Sequence, residues 1–207
     1  MKERRIVRMV LTGGPCAGKT SAIDRLKSAL EAKGWAVLVI GETATELISG
    51  GVAPWTLESN LAYQSCQLAL QIEKERIFSL AAARMKGAEG ILILCDRGCM
   101  DNRAYMTEEE FAAALLTLGE TEETLLARYD GIFHLVTAAK GAECFYTLAN
   151  NAARTETAEA AALLDDRLLL AWQGHPCHRV IDNATDFEGK LCRLVLAVEE
   201  ALAALGK

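Results

Sequence analysis

The feature that most constrains this chain is the glycine-rich octapeptide at residues 13–20, Gly-Gly-Pro-Cys-Ala-Gly-Lys-Thr. It fits the pattern G-x-x-x-x-G-K-[ST] of a phosphate-binding P-loop, in which successive backbone N–H groups point into one concavity. In this pattern Lys19 supplies a mobile positive charge and Thr20 supplies a hydroxyl for Mg²⁺. We therefore predict a nucleotide-phosphate site formed by Gly13, Gly14, Pro15, Cys16, Ala17, Gly18, Lys19, Thr20 and Ser21.

The residues on either side of the octapeptide indicate whether the match is accidental. An apolar, β-branched run at 6–11 precedes it, and Ile23, Leu26 and Leu30 follow at helical spacing. This is the strand–loop–helix context that a P-loop requires, and the helix N-terminus adds its positive dipole end to the same anion site. A simple glycine-rich turn is the alternative, but both the lysine and the threonine fall in register with the motif.

Four further apolar runs have the length of buried strands, at residues 35–40, 91–95, 131–136 and 178–181. Segments with helical periodicity separate them, and such alternation predicts an α/β protein. We expect a three-layer P-loop NTPase fold of the kinase type, with a five-stranded parallel sheet, as one domain over residues 1–207. A segment at about 138–156 lacks clear periodicity and is predicted to form a lid.

Charged residues directly follow two of the predicted strands, at the end where open α/β sheets bind ligands. Glu42 follows the second strand, and Asp96 and Arg97 end the third. Asp96 can hold Mg²⁺ together with Thr20, or accept a proton from an attacking hydroxyl, while Arg97 can steady an anionic group. The structural alternatives are a helix-start acid for Glu42 and a surface ion pair between Asp96 and Arg97.

Two further candidates lie near the ends of later elements. Arg154 closes the predicted lid, where it can deliver positive charge onto a transferring phosphoryl group; an ion pair with Glu156 is the alternative. Asn183 follows the fifth strand, in a turn that we expect near the nucleotide base.

Residues 57–85, predicted to form one long helix or two joined helices, carry polar side chains at a spacing of three and four residues. This stripe either lines the ligand crevice or faces water, and it consists of Gln64, Gln67, Gln71 and Lys74. Asp101 and Tyr105, soon after the third strand, are expected to complete a pocket for a phosphoryl acceptor.

Composition excludes some classes of protein. The chain has 22 Lys plus Arg against 28 Asp plus Glu, a formal charge of −6, which argues against nucleic-acid binding driven by counterion release. The seven cysteines lack zinc-type spacing and are expected to be reduced, buried thiols. No apolar stretch is long enough to span a bilayer, so we expect a cytoplasmic protein.

These motifs together resemble the NadR-like AAA-domain family of P-loop proteins. That family has the kinase-type fold of nicotinamide riboside, nucleoside and nucleotide kinases, and it includes domains of the TRPL translocation-defect protein. The resemblance rests on the P-loop, Glu42-Thr43-Ala44-Thr45, Asp96-Arg97-Gly98 with Asp101 and Tyr105, Arg154-Thr155-Glu156, His175-Pro176 and Ile181-Asp182-Asn183. It implies an ATP or GTP site at the P-loop, Mg²⁺ near Thr20 and Asp96, and a lid with Arg154.

The predicted function is transfer of the γ-phosphoryl of ATP or GTP to a small nucleoside-like or nucleotide acceptor. The candidate catalytic residues are Lys19, Glu42, Asp96, Arg97 and Arg154, and the resemblance implies that Glu42 or Asp96 is the base. A nucleotide-dependent regulatory or binding module, or an NTPase without an acceptor, is the alternative. Two acids at strand ends favour the kinase, because a switch needs only one for Mg²⁺.

Overall fold

The computed structural model describes residues 5–87, 90–142 and 157–206. Its strands are β1 (Arg5–Thr12), β2 (Trp35–Ile40), β3 (Gly90–Asp96), β4 (Gly131–Leu135) and β5 (His178–Ile181). Its helices are α1 (Lys19–Glu31), α2 (Thr43–Ser49), α3 (Asn60–Arg84), α4 (Glu108–Leu118), α5 (Glu122–Leu126), α6 (Ala158–Ala171) and α7 (Phe187–Ala204), with a 3₁₀ helix at Cys99–Tyr105.

Within the described residues the strands form one five-stranded, all-parallel sheet in the order β2-β3-β1-β4-β5. The P-loop strand β1 is central, and Leu11 near its end pairs with Asp96 at the end of β3. Since all strands are parallel, their carboxyl ends meet at one edge, which collects the turns that follow each strand. The predicted α/β P-loop fold is confirmed.

Helices cover both faces of this sheet, as the apolar runs predicted. Alternate β1 residues face opposite sides, so that Met9 packs in one core with α1 and α7, and Val10 packs in the other with α3 and α4. Leu26 of α1 and Phe111 of α4 are both buried. The result is a three-layer arrangement that holds the P-loop between the sheet edge and α1.

Several element boundaries differ from the predicted ones for local reasons. The long helix is one continuous helix that begins at Asn60, because the Ser59 hydroxyl accepts a hydrogen bond from the Ala62 N–H (3.1 Å) and caps it. For residues 108–126 the sequence predicts one or two surface helices, and the segment forms two, because Gly119 takes a left-handed conformation that ends α4. Most of the predicted lid, at 143–156, lies outside the described residues.

The expectations about membrane-spanning segments and about the cysteines can be compared with the structure. No helix among the described residues has both the length and the apolar composition needed to cross a membrane. The cysteines that the structure describes are free thiols, but Cys66 and Cys192 are exposed, so the prediction that all of them are buried is wrong. Both lie on helix surfaces that the apolar periodicity did not distinguish from the core.

Candidate functional site

The P-loop has the strongly curved backbone that its glycines predicted. Gly13 (φ 140°) and Gly18 (φ 89°) have positive φ angles, and Cys16 (φ 57°) is also left-handed. A Cβ at Gly13 would lie 2.1 Å from the Leu135 carbonyl oxygen, and one at Gly18 would lie 2.5 Å from the Phe187 ring. Larger residues are therefore excluded at both positions, and α1 begins directly after Gly18 with its N-terminus at the loop.

Lys19 links the P-loop to the carboxyl ends of the neighbouring strands. Its Nζ donates to the Gly13 carbonyl oxygen (3.2 Å). Burial and the positive charge of Arg97 lower the pKa of Lys19 to about 8, and the carboxylates of Asp96 and Glu42 partly oppose this shift. Four predicted catalytic residues thus lie close together at the carboxyl ends of β1, β2 and β3: Lys19, Glu42, Asp96 and Arg97.

The residues predicted to hold Mg²⁺ have suitable chemistry. The Asp96 Oδ1 atom is buried and has no hydrogen-bond partner among the described residues. Burial raises the pKa of Asp96, and nearby Lys19 opposes that shift. Thr20 lies exposed in the first turn of α1, beside the likewise exposed Ser21. Because Mg²⁺ prefers oxygen ligands and binds through one or two carboxylates plus substrate phosphates, Asp96 and Thr20 fit such an ion.

Glu42 and Arg97 form the central ion pair of the site. Arg97 Nε donates to Glu42 Oε1 at 2.6 Å, and the Thr45 hydroxyl donates to Glu42 Oε2 at 2.9 Å. Burial disfavours the charge on Glu42, but Arg97 and Lys19 outweigh it and lower the pKa to about 2. The alternative of an Asp96–Arg97 surface pair is wrong, because Arg97 pairs across to the end of β2.

Arg97 is held in an uncommon backbone conformation. Its φ angle is 69°, which a non-glycine residue rarely adopts. The Arg97 N–H donates to the Leu11 carbonyl oxygen (3.0 Å), and its own carbonyl oxygen accepts from Gln71 Nε2 (3.4 Å). The fold therefore fixes the direction in which this arginine leaves the end of β3.

A cavity of about 250 Å³ lies beside this ion pair; we call it the acceptor cavity. Its lining residues come from the turns after β2 and β3, from α2, α3 and the turn between them, and from the 3₁₀ helix: Glu42, Ala44, Ile48, Pro54, Tyr63, Gln64, Gln67, Arg97 and Tyr105. Two polar atoms of these lining residues, Arg97 Nη1 and the Tyr63 hydroxyl, are buried and lack hydrogen-bond partners within the described part of the chain. Such unpaired groups are rare in folded proteins and are often found at functional sites.

The predicted polar stripe of the long helix divides between two roles. Gln64 and Gln67 line the acceptor cavity, and the Gln64 Oε1 atom accepts from Asn102 Nδ2 at 3.0 Å. Gln71 instead lies deeper, where its amide donates to Glu75 (2.9 Å) and to the Arg97 carbonyl oxygen. All three glutamines are buried, so the alternative of a solvent-facing stripe is wrong for them.

Asp101 does not line the acceptor cavity, contrary to the prediction. Its carboxylate accepts hydrogen bonds from the Thr12 hydroxyl, the Trp172 Nε1–H (3.1 Å) and the Gly98 N–H (2.7 Å). These three donors occupy most of the roughly four acceptor sites of the carboxylate, and the residue is only 1% exposed. Asp101 thus ties the end of β1 to the start of the 3₁₀ helix, while Tyr105 reaches the cavity as predicted.

Asp165 of α6 contacts the P-loop and was not predicted as a site residue. Its Oδ1 atom accepts from the Gly14 N–H (2.8 Å), the Thr137 N–H (3.2 Å) and His134 Nε2 (3.1 Å), and Lys140 lies 3.1 Å from Oδ2. Burial opposes the charge of Asp165, but the hydrogen bonds lower its pKa to about 2. One carboxylate therefore fixes the second residue of the P-loop against the end of β4.

Lys190 of α7 holds the other end of the P-loop. Its Nζ donates to the carbonyl oxygens of Val136 (2.6 Å) and Ala17 (3.2 Å) and to Asn183 Oδ1 (2.8 Å). Burial lowers the pKa of Lys190 to about 8. A buried lysine that occupies three oxygen acceptors is a structural cross-link between α7 and the loop.

The Asn183 side chain, which we expected near the nucleotide base, forms hydrogen bonds within the protein. Its Nδ2 donates to the carbonyl oxygens of Thr137 (2.8 Å) and Lys140 (2.7 Å), so both amide hydrogens are occupied. Its Oδ1 atom accepts from Lys190. We call Thr137, Asp165, Asn183 and Lys190 the P-loop network; the Thr137 hydroxyl also donates to the Pro15 carbonyl oxygen.

Asp165 and Lys190 were not predicted as site residues, but the sequence contains a weak signal for both. Asp165 lies at i+4 from the buried Ala161, and Lys190 lies at i−4 from the buried Leu194, so each occupies the apolar face of its helix. A charge on such a face needs a buried partner. The remaining predicted catalytic residue, Arg154, lies outside the described residues.

The loop, the parallel sheet and the strand-end residues define a P-loop nucleotide-binding protein. The sequence model of the AAA domain family matches residues 8–190, most of the 207-residue chain, and the chain therefore belongs to that family. A search among curated proteins gave no match. The family match includes all the candidate residues, but by itself it does not single out a kinase.

Proposed function

We propose that this protein is a kinase that transfers the γ-phosphoryl group of ATP or GTP to a hydroxyl of a small, nucleoside-like acceptor. The observation that carries this proposal is the acceptor cavity, which adjoins the Glu42–Arg97 ion pair and contains polar groups without partners. A simple NTPase has no need of a second, separately lined cavity beside its phosphate site. The resemblance to nucleoside and nicotinamide riboside kinases supports the same proposal.

The P-loop side of the proposed site provides the phosphate contacts. The backbone N–H groups of the loop bind the phosphates, apart from that of Gly14, which donates to Asp165, and from Pro15, which has no N–H. Lys19 neutralises charge that develops on the transferring group. Asp96 and Thr20 hold Mg²⁺, which neutralises phosphate oxygens when it is bound. Arg154 adds a further positive charge from the proposed lid.

On the acceptor side, we assign Glu42 rather than Asp96 as the base, because Glu42 lines the cavity and Asp96 is not among the lining residues. Its low pKa keeps Glu42 ionised, so it orients the acceptor hydroxyl and takes the proton late in the transfer. A late proton transfer suits the loose transition state of most phosphoryl transfers. Arg97 holds the carboxylate of Glu42 in place.

The test measures ADP and GDP release by the purified protein with Mg²⁺, against nucleosides, nicotinamide riboside and mononucleotides. We expect acceptor-dependent release that Asp96→Asn abolishes and that Lys19→Ala lowers about 100-fold or more, by comparison with the loss of one aimed donor. Lys27→Ala is the matched control, because Lys27 is an exposed lysine of the same helix.

Melting temperatures complete this test, because a nucleotide at 100 times its dissociation constant adds about 2.7 kcal/mol of stability. Folded Lys19→Ala with full activity would refute the mechanism. A clear melting shift without acceptor-dependent turnover would identify a nucleotide-gated binding module instead.

A further inference from the structure

A chain of buried hydrogen bonds runs from the protein core to the central ion pair of the site. It begins at Glu75 of α3, a fully buried carboxylate whose Oε2 atom forms ion pairs with Arg8 (3.3 Å) and Arg128 (2.9 Å). The other oxygen, Oε1, accepts from Gln71 Nε2 at 2.9 Å. Because two arginines hold this carboxylate in place, it is a fixed acceptor for the amide one helical turn away.

The amide of Gln71 has one favourable orientation in this chain. A carboxylate only accepts hydrogen bonds, so the Nε2 group of Gln71 faces Glu75 and the amide oxygen faces away from it. That oxygen accepts from the Thr43 hydroxyl at 2.5 Å, and Nε2 also donates to the Arg97 carbonyl oxygen at 3.4 Å. One buried amide therefore joins α3 to the first residue of α2 and to the turn after β3.

Both groups that Gln71 contacts adjoin the ion pair of the site. Thr43 directly follows Glu42 in the chain, and the guanidinium of Arg97 donates to Glu42 at 2.6 Å. The φ angle of Arg97, 69°, is a conformation that persists only where the surrounding contacts enforce it. Gln71 provides one of these contacts, and it acts on both partners of the ion pair.

We infer, on the basis of the proposed kinase function, that Gln71 is a positioning residue whose amide sets the direction of the Glu42 carboxylate toward the acceptor hydroxyl. In the transfer, the acceptor oxygen bonds to the γ-phosphorus while the bond from that phosphorus to the β–γ bridging oxygen breaks, and the hydroxyl proton passes to Glu42. A misplaced base lowers the rate, because proton transfer requires hydrogen-bond distance. Gln71 is not one of the described residues that line the acceptor cavity, so it acts through Glu42 and Arg97.

Steady-state kinetics of the full chain test this inference. Gln71→Met keeps the length of the side chain without its amide and should lower kcat about tenfold. The KM for ATP or GTP should change by less than about twofold, because the lost contact acts on the transfer and not on nucleotide binding. In a Glu42→Gln background, Gln71→Met should have no further effect, since the residue through which it acts has been replaced. An unchanged kcat, or a tenfold loss that persists in that background, would overturn the inference.

Thr43 offers a matched pair of variants for the same hydrogen bond. Thr43→Val has nearly the same shape but no hydroxyl, and it should lower kcat about threefold to tenfold. Thr43→Ser keeps the hydroxyl and should retain the wild-type kcat. If the serine variant loses as much activity as the valine variant, the hydroxyl contact with Gln71 does not position the base.

Tyr129→Phe is the control for a loss of stability alone. The Tyr129 hydroxyl also donates to Glu75 Oε1 (2.6 Å), but within the described part of the chain it has no hydrogen bond to Thr43 or Arg97. This variant should lower the melting temperature and leave kcat unchanged. A loss of kcat equal to that of Gln71→Met would assign the effect to stability and not to position.

Hydrogen exchange observed by NMR gives a result that does not require turnover. The Arg97 Nε–H, which is hydrogen-bonded to Glu42, should exchange slowly with solvent, and Arg97→Lys assigns its signal by removing it. Gln71→Met should raise this exchange rate about tenfold or more, whereas Tyr129→Phe should not change it. An unchanged rate in Gln71→Met would overturn the inference.

The two measurements separate this inference from the proposed function. A wild-type protein without acceptor-dependent turnover would refute the kinase, and the exchange rate in Gln71→Met would still support or overturn the role of Gln71 at the ion pair. Wild-type turnover together with an unchanged kcat in Gln71→Met would support the kinase and overturn the inference. Circular dichroism and melting curves of each variant establish that the compared proteins are folded.

Discussion

The P-loop network and the acceptor cavity lie at the same edge of the sheet but differ in how their polar groups are used. In the network, Asp165 accepts from two backbone N–H groups and a histidine, and Lys190 donates to three oxygens. In the cavity, Arg97 Nη1 and the Tyr63 hydroxyl have no described partner. Buried polar groups of the network are therefore hydrogen-bonded within the protein, whereas those two groups of the cavity residues are not.

This difference distinguishes structural polar residues from residues available to a ligand. A buried carboxylate or ammonium with all its partners in the protein stabilises one backbone conformation and has little capacity left for a ligand. A buried hydroxyl or guanidinium without a partner reduces stability until a ligand supplies one. By this criterion the network shapes the P-loop, and the cavity is the place that we propose for the second substrate.

The largest expected effect on stability is that of Asp165→Asn, which removes the negative charge of the carboxylate in the P-loop network. The folded-state pKa of about 2 lies below the usual aspartate value of 3.8, so ionised Asp165 contributes about 2 kcal/mol above pH 4. That contribution is lost as the pH falls from about 4 to 2. Denaturant unfolding should therefore show a deficit of about 2 kcal/mol for the variant at pH 7.

The stability gap between Asp165→Asn and wild type should close on acidification, because the unfolded state takes up the proton first. A variant as stable as wild type at pH 7, or a gap that widens toward pH 3, would show that the carboxylate does not hold the loop. Asp166→Asn is the control, since Asp166 is a neighbouring acid whose side chain is 59% exposed.

A second, smaller effect concerns Lys19 and the pH dependence of nucleotide affinity. Because its pKa in the free protein is lowered to about 8, a rise in pH above 8 removes the charge that the phosphates require. Bound phosphates raise the pKa again, so binding takes up a proton in this window. The dissociation constant should increase by up to tenfold per pH unit between pH 8 and 9.5.

Titration of ATP or GTP by calorimetry across this range measures the effect directly. Lys19→Arg keeps its charge at all these pH values and should bind with a dissociation constant that hardly changes with pH. A flat profile for the wild type would contradict the lowered pKa of Lys19. An equal slope in the arginine variant would assign the dependence to another group such as Lys190, whose pKa is also about 8.

The smallest expected effect is that of Tyr63→Phe, and Tyr129→Phe provides the contrasting variant. Tyr63→Phe removes a hydroxyl without a described partner and should leave the stability unchanged or raise it by about 1 kcal/mol. Tyr129→Phe removes a hydroxyl that accepts from the Cys99 N–H (2.7 Å) and donates to Glu75 (2.6 Å), and should cost about 1–3 kcal/mol. Chemical denaturation of both variants makes the comparison, and equal destabilisation would remove the distinction between the two regions.

The sequence predicted the fold and the phosphate site well because both depend on local patterns. Apolar runs give strands, and the bounds predicted for β2 and β5 are those observed. The P-loop motif specifies glycine at positions 13 and 18, and in the structure a Cβ at either position would collide with a neighbouring residue. Parallel pairing then brings Asp96 and Glu42 near Lys19, as their strand-end positions predicted.

The contacts that join distant segments could not be predicted in the same way. Asp165 reaches Gly14 across 151 positions of sequence, and Lys190 reaches Ala17 across 173. A charged residue on an apolar helix face indicates that a partner exists, but it does not identify that partner. Asn183 and Asp101 were assigned to ligands for the same reason, since their positions were predictable and their protein partners were not.

The most direct test of the account follows the γ-phosphoryl group of radiolabelled ATP or GTP in the presence of Mg²⁺ and a nucleoside that binds. We predict that the label appears on the nucleoside as a phosphomonoester, and that Lys19→Ala slows its appearance about 100-fold or more. Label that is released as inorganic phosphate at the same rate with and without the nucleoside would contradict the kinase and leave an NTPase.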